Sequence, residues 1–201
     1  NSFDASVLSD NIKFIKNEIA EAAIKSGRNP DDIRFMAVTF KGIPITLAGE
    51  FVNKGTQAPD FTLVKEDLKE YKLSDWKGKY LILNIFPSLD TDACSASVRR
   101  FNQIAGNLPS ARVLCISKDL PFAQKRFCTI EGLDHIIPLS DFRYDSNFGK
   151  QYGVLITSGP MRGLLARSVV TINPEGKVVY SELVNEVTRE PNYDAALKAV
   201  K

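Results

Sequence analysis

Residues 80–86 (YLILNIF) carry the strongest structural signal in the chain, because only Asn84 interrupts the apolar run. A short apolar run bounded by turn residues is typical of a strand that is buried on both faces of a sheet. Pro87 follows at once and cannot continue the hydrogen-bond ladder of a central strand. Residues 92–106 then carry apolar side chains at helical spacing, so the sequence predicts a helix directly after a buried strand.

The elements that follow continue this alternation of strands and helices. Further strands are predicted at 112–117, 168–172 and 177–183, and further helices at 121–128 and 193–200. The order strand, helix, strand, helix, hairpin, helix predicts an α/β domain with a mixed central sheet and helices on both faces. This is the element order of a thioredoxin fold.

The first part of the chain has a different pattern. Residues 10–26 are amphipathic and predict one helix, while residues 35–40 and 43–48 flank a glycine turn and predict a β-hairpin. We therefore expect two parts: an N-terminal helical extension over 1–35, and an α/β domain over 36–201 that opens with the hairpin.

Composition excludes several classes of function. The 26 basic and 24 acidic residues leave a net charge of +2, which gives no electrostatic basis for binding nucleic acid or an anionic membrane. No apolar run is long enough to span a bilayer and residues 1–11 lack a signal-peptide pattern, so a cytoplasmic protein is expected. The three cysteines lack C-x-x-C spacing and His135 is the only histidine, so neither a metal site nor a disulfide scaffold is expected.

Cys94 is the candidate for chemistry because it falls in the first turn of a predicted helix. Backbone N–H groups at a helix start stabilise a thiolate, which is the nucleophilic form of cysteine. Thr91 can offer a hydroxyl to the sulfur, and Pro87 can stiffen and shield the approach to it. Together these residues predict a nucleophilic thiol, for which attack on a peroxide is one possible reaction.

A peroxidase also needs a fixed positive charge, which holds the thiolate and stabilises the charge that develops as the O–O bond breaks. Arg99 and Arg100 on the same helix and Arg167 before the strand at 168–172 are the candidates. A surface ion pair is the ordinary alternative for Arg167. The interpretation requires an arginine close to Cys94, and a sulfur that faces a cleft.

Oxidation of a thiolate by peroxide gives a sulfenic acid, which a second thiol must resolve. Cys128 lies at the end of the predicted helix 121–128 beside a loop, where it could be exposed. Cys115 lies in the middle of a predicted strand, where a cysteine is ordinarily a buried apolar residue. The sequence therefore favours Cys128 as the second thiol.

These candidates belong to a longer set of motifs. The set comprises VTFKG at 38–42, NIFPSLDT at 84–91 followed by Cys94, VLCIS at 113–117, DLPFAQ at 119–124, RFC at 126–128, LSDFR at 139–143, GLLAR at 163–167 and EPNY at 190–193. In this order the motifs resemble those of the atypical two-cysteine thiol peroxidases, a subfamily of the peroxiredoxins. The resemblance covers residues 36–201.

The resemblance implies a role for each matching residue. Cys94 would be the peroxidatic cysteine and Cys128 the resolving cysteine, joined in an intramolecular disulfide after hydrogen peroxide or an alkyl hydroperoxide has oxidised Cys94. Thr91 and Arg167 would be polar partners of the sulfur, and Pro87 would be its shield. The resemblance also implies thioredoxin as the reductant, a homodimer, and the use of neither a metal nor an organic cofactor.

Two features depart from the family pattern. Asp92-Ala93 stands where the family commonly has Gly-Val, and a carboxylate there opposes thiolate formation unless it points to solvent or caps the helix. Residues 11–34 resemble the opening helix of the small pyridoxal-phosphate-binding protein family. The barrel that would hold that cofactor does not follow, so the segment is interpreted as a fusion remnant, and Lys41 is not expected to form a Schiff base.

Two other functions compete with the peroxidase. A protein disulfide oxidoreductase shares the fold but usually carries C-x-x-C, and neither Ala93 nor Ser97 supplies a second cysteine beside Cys94. A redox-sensing binding module would instead use the apolar stripe of the N-terminal helix to contact a partner.

Overall fold

The computed structural model describes residues 5–30 and 37–201, and the chain divides into two compact units, Asn1–Ala37 and Val38–Lys201. The predicted boundary between residues 35 and 36 lies outside the described residues, as do the first two residues of the predicted hairpin.

Helix α1 (Ala5–Lys25) lies in the first unit. Gly27 follows it in the left-handed conformation at φ +74°, which glycine adopts without strain, and the Arg28 amide donates to the Ala23 carbonyl at 2.9 Å. The predicted helix over 10–26 is confirmed, with an earlier start.

The second unit is an α/β domain. Its strands are β1 (Val38–Phe40), β2 (Ile43–Ile45), β3 (Leu47–Ala48), β4 (Thr62–Val64), β5 (Glu70–Lys72), β6 (Tyr80–Ile85), β7 (Ala111–Ser117), β8 (Ile137–Ser140), β9 (Leu155–Ile156), β10 (Ser168–Ile172) and β11 (Val178–Leu183). Its helices are α2 (Asp92–Gly106), α3 (Pro121–Glu131), α4 (Phe148–Gln151) and α5 (Tyr193–Lys198), with a short 3-10 helix at Leu73–Trp76.

Seven strands form one sheet in the order β11-β10-β6-β7-β8-β4-β5. β6, β7 and β8 are parallel neighbours, and the other pairings in this sheet are antiparallel. Parallel neighbours need crossover connections, and here α2 joins β6 to β7 while α3 joins β7 to β8. The predicted thioredoxin fold with a mixed central sheet is confirmed.

Successive side chains of β6 point to opposite faces of the sheet, as in any strand, and so belong to two different apolar clusters. Leu81, Leu83 and Ile85 belong to one cluster, and Ile82 and Phe86 belong to the other. Residues of α2 and α5 complete the second cluster, so these helices cover that face of the sheet. Each fully buried aliphatic or aromatic side chain stabilises the fold by roughly 1.5–3 kcal/mol relative to an exposed one.

The three cysteines share the second face of the sheet. Cys94 in α2 and Cys115 in β7 are buried members of the second cluster, and Cys128 in α3 packs against it half-buried. Along β7, Leu114 and Ile116 point to the first cluster, so Cys115 between them points to the second.

The β1–β2 hairpin is joined to the segment that follows β11. The Thr39 amide donates to the Asn185 carbonyl at 2.7 Å, and the Val187 amide donates to the Thr39 carbonyl at 2.9 Å. The Glu186 carboxylate accepts hydrogen bonds from the Thr39 hydroxyl at 2.8 Å and the Gly42 amide at 3.0 Å. We call this set of contacts the hairpin seam.

Some predicted elements differ in extent from those observed. The second hairpin strand ends at Ile45, and β3 pairs with β9 instead of β1, because a single residue between β2 and β3 redirects the chain. Helix α3 continues to Glu131, three residues past its predicted end, where Gly132 in the left-handed conformation stops it. Within the described ranges, none of the helices combines the length and the apolar character that crossing a membrane requires.

Candidate active site

The loop of residues 87–91 connects the central strand β6 to helix α2. Pro87 is buried, and Thr91 is the N-cap residue of α2 in extended conformation. Cys94 therefore lies in the first turn of the helix, as predicted. The Cys94 amide donates to the Thr91 carbonyl at 3.1 Å, so this particular amide does not contact the sulfur.

Arg167 lies next to the Cys94 sulfur. Its Nη2 donates to Cys94 Sγ at 3.1 Å, and its Nε donates to the Val187 carbonyl at 2.9 Å. The Arg167 side chain is 1% exposed and Cys94 is 0% exposed, so the pair is removed from water. The guanidinium is held at two points, and its planar geometry then fixes where the third nitrogen lies.

The charge of Arg167 has an unusual environment. Among the described residues no carboxylate forms an ion pair with it, and its Nη1 is buried without a hydrogen-bond partner. A buried cation is costly unless an anion compensates it. The sulfur of Cys94 is the group placed to do so, and Nη1 remains available as a donor for a further ligand.

The other two candidate arginines form contacts on the protein surface and not with the sulfur. Arg99 forms a two-point ion pair with Glu131 of α3, at 2.8 and 2.9 Å, and Arg100 donates to Gln103 at 3.4 Å. Both are exposed on the outer side of α2. The structure thus brings Arg167 to the sulfur and leaves Arg99 and Arg100 on the surface.

Thr91 and Asp92 are both exposed at the start of α2. The Thr91 hydroxyl donates to the Ser88 carbonyl at 3.2 Å, so in this structure it contacts its own loop and not the sulfur. Asp92 lies in the first turn of the helix and is exposed to solvent.

The expectation that the sulfur faces a cleft is not met in this closed arrangement. Cys94 has no exposed surface, and it packs among apolar side chains of β6, α2 and β10. A cavity of about 240 Å³ lies beside the 87–91 loop and is lined by Leu89, Asp90 and residues of α3, without Cys94. A peroxide can reach the sulfur only after a local movement of the segments that cover it.

Cys128 and Cys115 differ in their surroundings. Cys128 lines a cavity of about 510 Å³ together with Glu66 and Ile137, and burial, followed by the charge of Glu66, raises its pKa to about 11. Burial raises the pKa of Cys115 to about 12. Cys128 is partly accessible, although it lies within α3 and not in a loop.

A buried polar group to which the sequence analysis assigned no role links the Cys115 thiol, through Ser97, to the backbone of Cys94. Asn84 Nδ2 donates to Ser97 Oγ at 3.4 Å and to Cys115 Sγ at 3.7 Å, and the Ser97 hydroxyl donates to the Cys94 carbonyl at 3.0 Å. Asn84 is fully buried in the central strand. Its interruption of the apolar run at 80–86 was the available signal, since a buried amide needs partners.

Comparison with known proteins assigns the family. The family described as Redoxin matches residues 53–197. The thiol peroxidase of Corynebacterium glutamicum is 47% identical over 161 residues, which are 80% of this chain and 96% of the relative. The chain belongs to the peroxiredoxin family. The thiol peroxidase of Mycobacterium tuberculosis is 50% identical to this peroxiredoxin over 163 residues, covering 81% of it and 97% of the relative.

A solved structure agrees with this assignment. The peroxiredoxin-like protein from Aquifex aeolicus is similar to this peroxiredoxin with a TM-score of 0.76 and 41% identity, over 82% of this chain and 96% of that one. The predicted thiol-dependent reduction of peroxides is confirmed at the level of the family. In the described part of this peroxiredoxin, no group of three His, Cys, Asp or Glu residues is arranged to hold a metal ion.

Proposed function

We propose that this peroxiredoxin reduces hydrogen peroxide and alkyl hydroperoxides with Cys94 as the peroxidatic thiol and Cys128 as the resolving thiol. The observation that carries the proposal is the contact of 3.1 Å between Arg167 Nη2 and Cys94 Sγ, with both residues buried. The buried guanidinium has no carboxylate partner among the described residues, so the Cys94 sulfur is the group placed to compensate its charge.

In the first step the Cys94 thiolate attacks one peroxide oxygen. The S–O bond forms as the O–O bond breaks, and the bonding electron pair leaves with the other oxygen, which takes a proton and departs as water or an alcohol. The sulfur is oxidised to a sulfenic acid and the peroxide is reduced. Arg167 Nη1, which is buried and unpartnered, supplies a donor for the oxygen on which charge develops.

Pro87 and Thr91 support this step from the loop. Pro87 is buried and lacks an N–H group, so it shields the sulfur without placing a competing donor beside it. Rotation of the Thr91 side chain away from the Ser88 carbonyl would bring its hydroxyl toward the sulfur or the bound peroxide.

In the second step the Cys128 thiol attacks the sulfenic acid. The S–S bond forms, the S–O bond of Cys94 breaks, and the hydroxyl leaves as water with the proton of Cys128. Cys94 is covered by the core, while Cys128 lines a cavity that Cys94 does not share. The disulfide therefore needs local unwinding of the segments that carry both cysteines.

Thioredoxin is the proposed reductant, and it would return both cysteines to thiols by exchange while its own dithiol is oxidised to a disulfide. The remaining parts of the proposal follow from the resemblances described above, apart from the location, which follows from the sequence pattern. They are a homodimer, a cytoplasmic location, and residues 1–35 as a fusion remnant that has no pyridoxal phosphate chemistry.

The test is a stopped-flow assay with hydrogen peroxide and cumene hydroperoxide, followed by intact mass measurement. We expect the chain to lose two hydrogens on oxidation, and the link to map to Cys94 and Cys128. Cys94→Ser should abolish peroxide consumption, and Cys128→Ser should stop at the sulfenic acid. Cys115→Ser is the matched control and should retain turnover. Thioredoxin-linked peroxide consumption by Cys94→Ser would refute the proposal.

A further inference from the structure

Asp119 holds the loop that leads to Cys94. Its carboxylate accepts a hydrogen bond from the Ser88 hydroxyl at 2.7 Å through one oxygen, and from the Leu89 amide at 2.8 Å through the other. In the described part of the chain, Ser88 and Leu89 donate no hydrogen bond to any other residue. Hydrogen bonds to a charged acceptor are stronger than those between neutral groups.

Asp119 is itself fixed to the carboxyl ends of two neighbouring strands. The Ser117 hydroxyl at the end of β7 donates to its carboxylate at 2.7 Å, and the Asp119 amide donates back to that hydroxyl at 3.3 Å. The Ser140 hydroxyl at the end of β8 donates to the Asp119 carbonyl at 2.5 Å. The loop is thus tied through one carboxylate to the rigid sheet.

The position of Asp119 in the chain relates it to both cysteines. It lies between β7 and α3, the helix that carries Cys128, and it contacts the loop that precedes Cys94. A cavity of about 240 Å³ is lined by Leu89 and Asp90 of the loop, by Asp119 itself and by residues of α3, so the loop does not pack closely against α3 at this point. Where packing is loose, hydrogen bonds carry a larger share of what holds a segment in place.

We propose that Asp119 is a positioning residue that holds the 87–91 loop in its closed place on the sheet and thereby limits the rate at which Cys94 and Cys128 form their disulfide. The inference rests on the proposed function, because it requires the two cysteines to be partners. The sequence supplied the motif DLPFAQ at 119–124 without a role for its first residue. The contacts with Ser88 and Leu89 give that residue a role.

The test follows the two steps separately in Asp119→Asn. Reduced protein is mixed with one equivalent of hydrogen peroxide and quenched at intervals, and mass measurement separates thiol, sulfenic acid and disulfide. The amide keeps one acceptor but loses the charge, so we expect disulfide formation to be roughly ten-fold faster than in the parent. Ser88→Ala removes one of the bonds from the loop side and should act in the same direction.

Asp90→Asn is the matched control, because Asp90 is an exposed carboxylate on the same loop. Its disulfide should form at the parent rate. Hydrogen exchange in the reduced protein gives an independent measure: amides at 88–98 should exchange faster in Asp119→Asn, while those of β10 should be unchanged.

The outcomes distinguish failure of the role of Asp119 from failure of the proposed function. Faster disulfide formation together with faster exchange at 88–98 supports the role of Asp119. Unchanged or slower disulfide formation overturns it, and slowing of both chemical steps would show a merely structural contribution. If the parent and Asp90→Asn form no Cys94–Cys128 disulfide, the proposed function fails, and the exchange measurement still decides whether Asp119 holds the loop.

Discussion

Arg167 and Cys94 form a buried donor–acceptor pair at 3.1 Å that joins the residue before β10 to the first turn of α2. The pair lies at the meeting point of elements that are far apart in sequence. Its geometry depends on Val187, whose carbonyl holds the Nε of the same guanidinium at 2.9 Å. Reactivity of the thiol should therefore respond to changes at Arg167 and to any displacement of the backbone at Val187.

Arg167→Lys should keep a positive charge but lose most of the activity. An ammonium group cannot donate to Val187 and Cys94 in the same fixed plane, so the donor to the developing charge is misplaced. We expect the second-order rate constant for oxidation by hydrogen peroxide to fall roughly 100-fold. Stopped-flow measurement checks this, with exposed Arg100→Lys as the control that should react like the parent. Equal losses in both variants would contradict the assignment.

The reactivity of Cys128 should depend on pH and on Glu66. Burial, then the charge of Glu66, raises the Cys128 pKa to about 11, so the thiolate fraction should grow roughly ten-fold per pH unit below that value. Glu66→Gln removes the negative charge and should lower the pKa, which speeds alkylation by iodoacetamide at pH 8. The measurement uses a Cys94→Ser, Cys115→Ser background. Asp134→Asn is the control, since Asp134 lines the same cavity with an 82% exposed side chain.

Cys115 should be inert in the folded protein. Burial raises its pKa to about 12, and its side chain points into the core beside Asn84. Iodoacetamide at pH 8 should modify Cys128 and leave Cys115 unmodified until the chain is unfolded in urea. Peptide mass mapping at both conditions checks this. Labelling of Cys115 as fast as of Cys128 would show that the core opens far more readily than the packing indicates.

Glu186 should make the free energy of unfolding of the domain fall at acid pH. Burial raises its pKa, but hydrogen bonds from Gly42, Thr39 and Thr188 outweigh that effect and lower the pKa from 4.5 to about 2. A lowered pKa means that the carboxylate stabilises the fold above its ordinary pKa, and that this contribution is lost as the pH falls toward 2.

Glu186→Gln should therefore be less stable than the parent at neutral pH. The difference should shrink as the pH falls from about 5 to about 2, because the parent loses the charge that the variant lacks already. Urea unfolding across this range measures it. Glu175→Gln, at an exposed turn, is the control. Its difference in unfolding free energy from the parent should not shrink between about pH 5 and about pH 2 as that of Glu186→Gln does.

Local patterns predicted the central parts of the fold. The apolar run became β6, and the helix predicted over 92–106 is α2 with the same limits. Both are decided by residues close together in sequence. Short strands such as β8 and β9 were missed, because two to four residues carry too little periodicity and owe their pairing to distant partners.

The sequence predicted where the candidate thiols lie among the helices and strands, but only some of their contacts. Cys94 was indicated by its place at a helix start. The residues alone left three arginines open, because sequence does not give distances, and only the family resemblance singled out Arg167. Val187 contributes a backbone carbonyl, which any residue type supplies, so nothing in the sequence marks it. Burial of the sulfur also escaped prediction, since it depends on how α2 packs against the sheet.

The hairpin seam sets a limit on how far the chain can be shortened from its amino end. Removal of residues 1–37 leaves Thr39 and Gly42 in place, so the backbone at Asn185–Val187 keeps its neighbours. A deletion that reached Ile45 would remove those hydrogen-bond partners. The backbone at Val187, whose carbonyl accepts from the Arg167 guanidinium, would then no longer be held in place. The smallest fragment with an intact thiol centre should therefore begin before the hairpin, although the hairpin donates no hydrogen bond to the sulfur among those described.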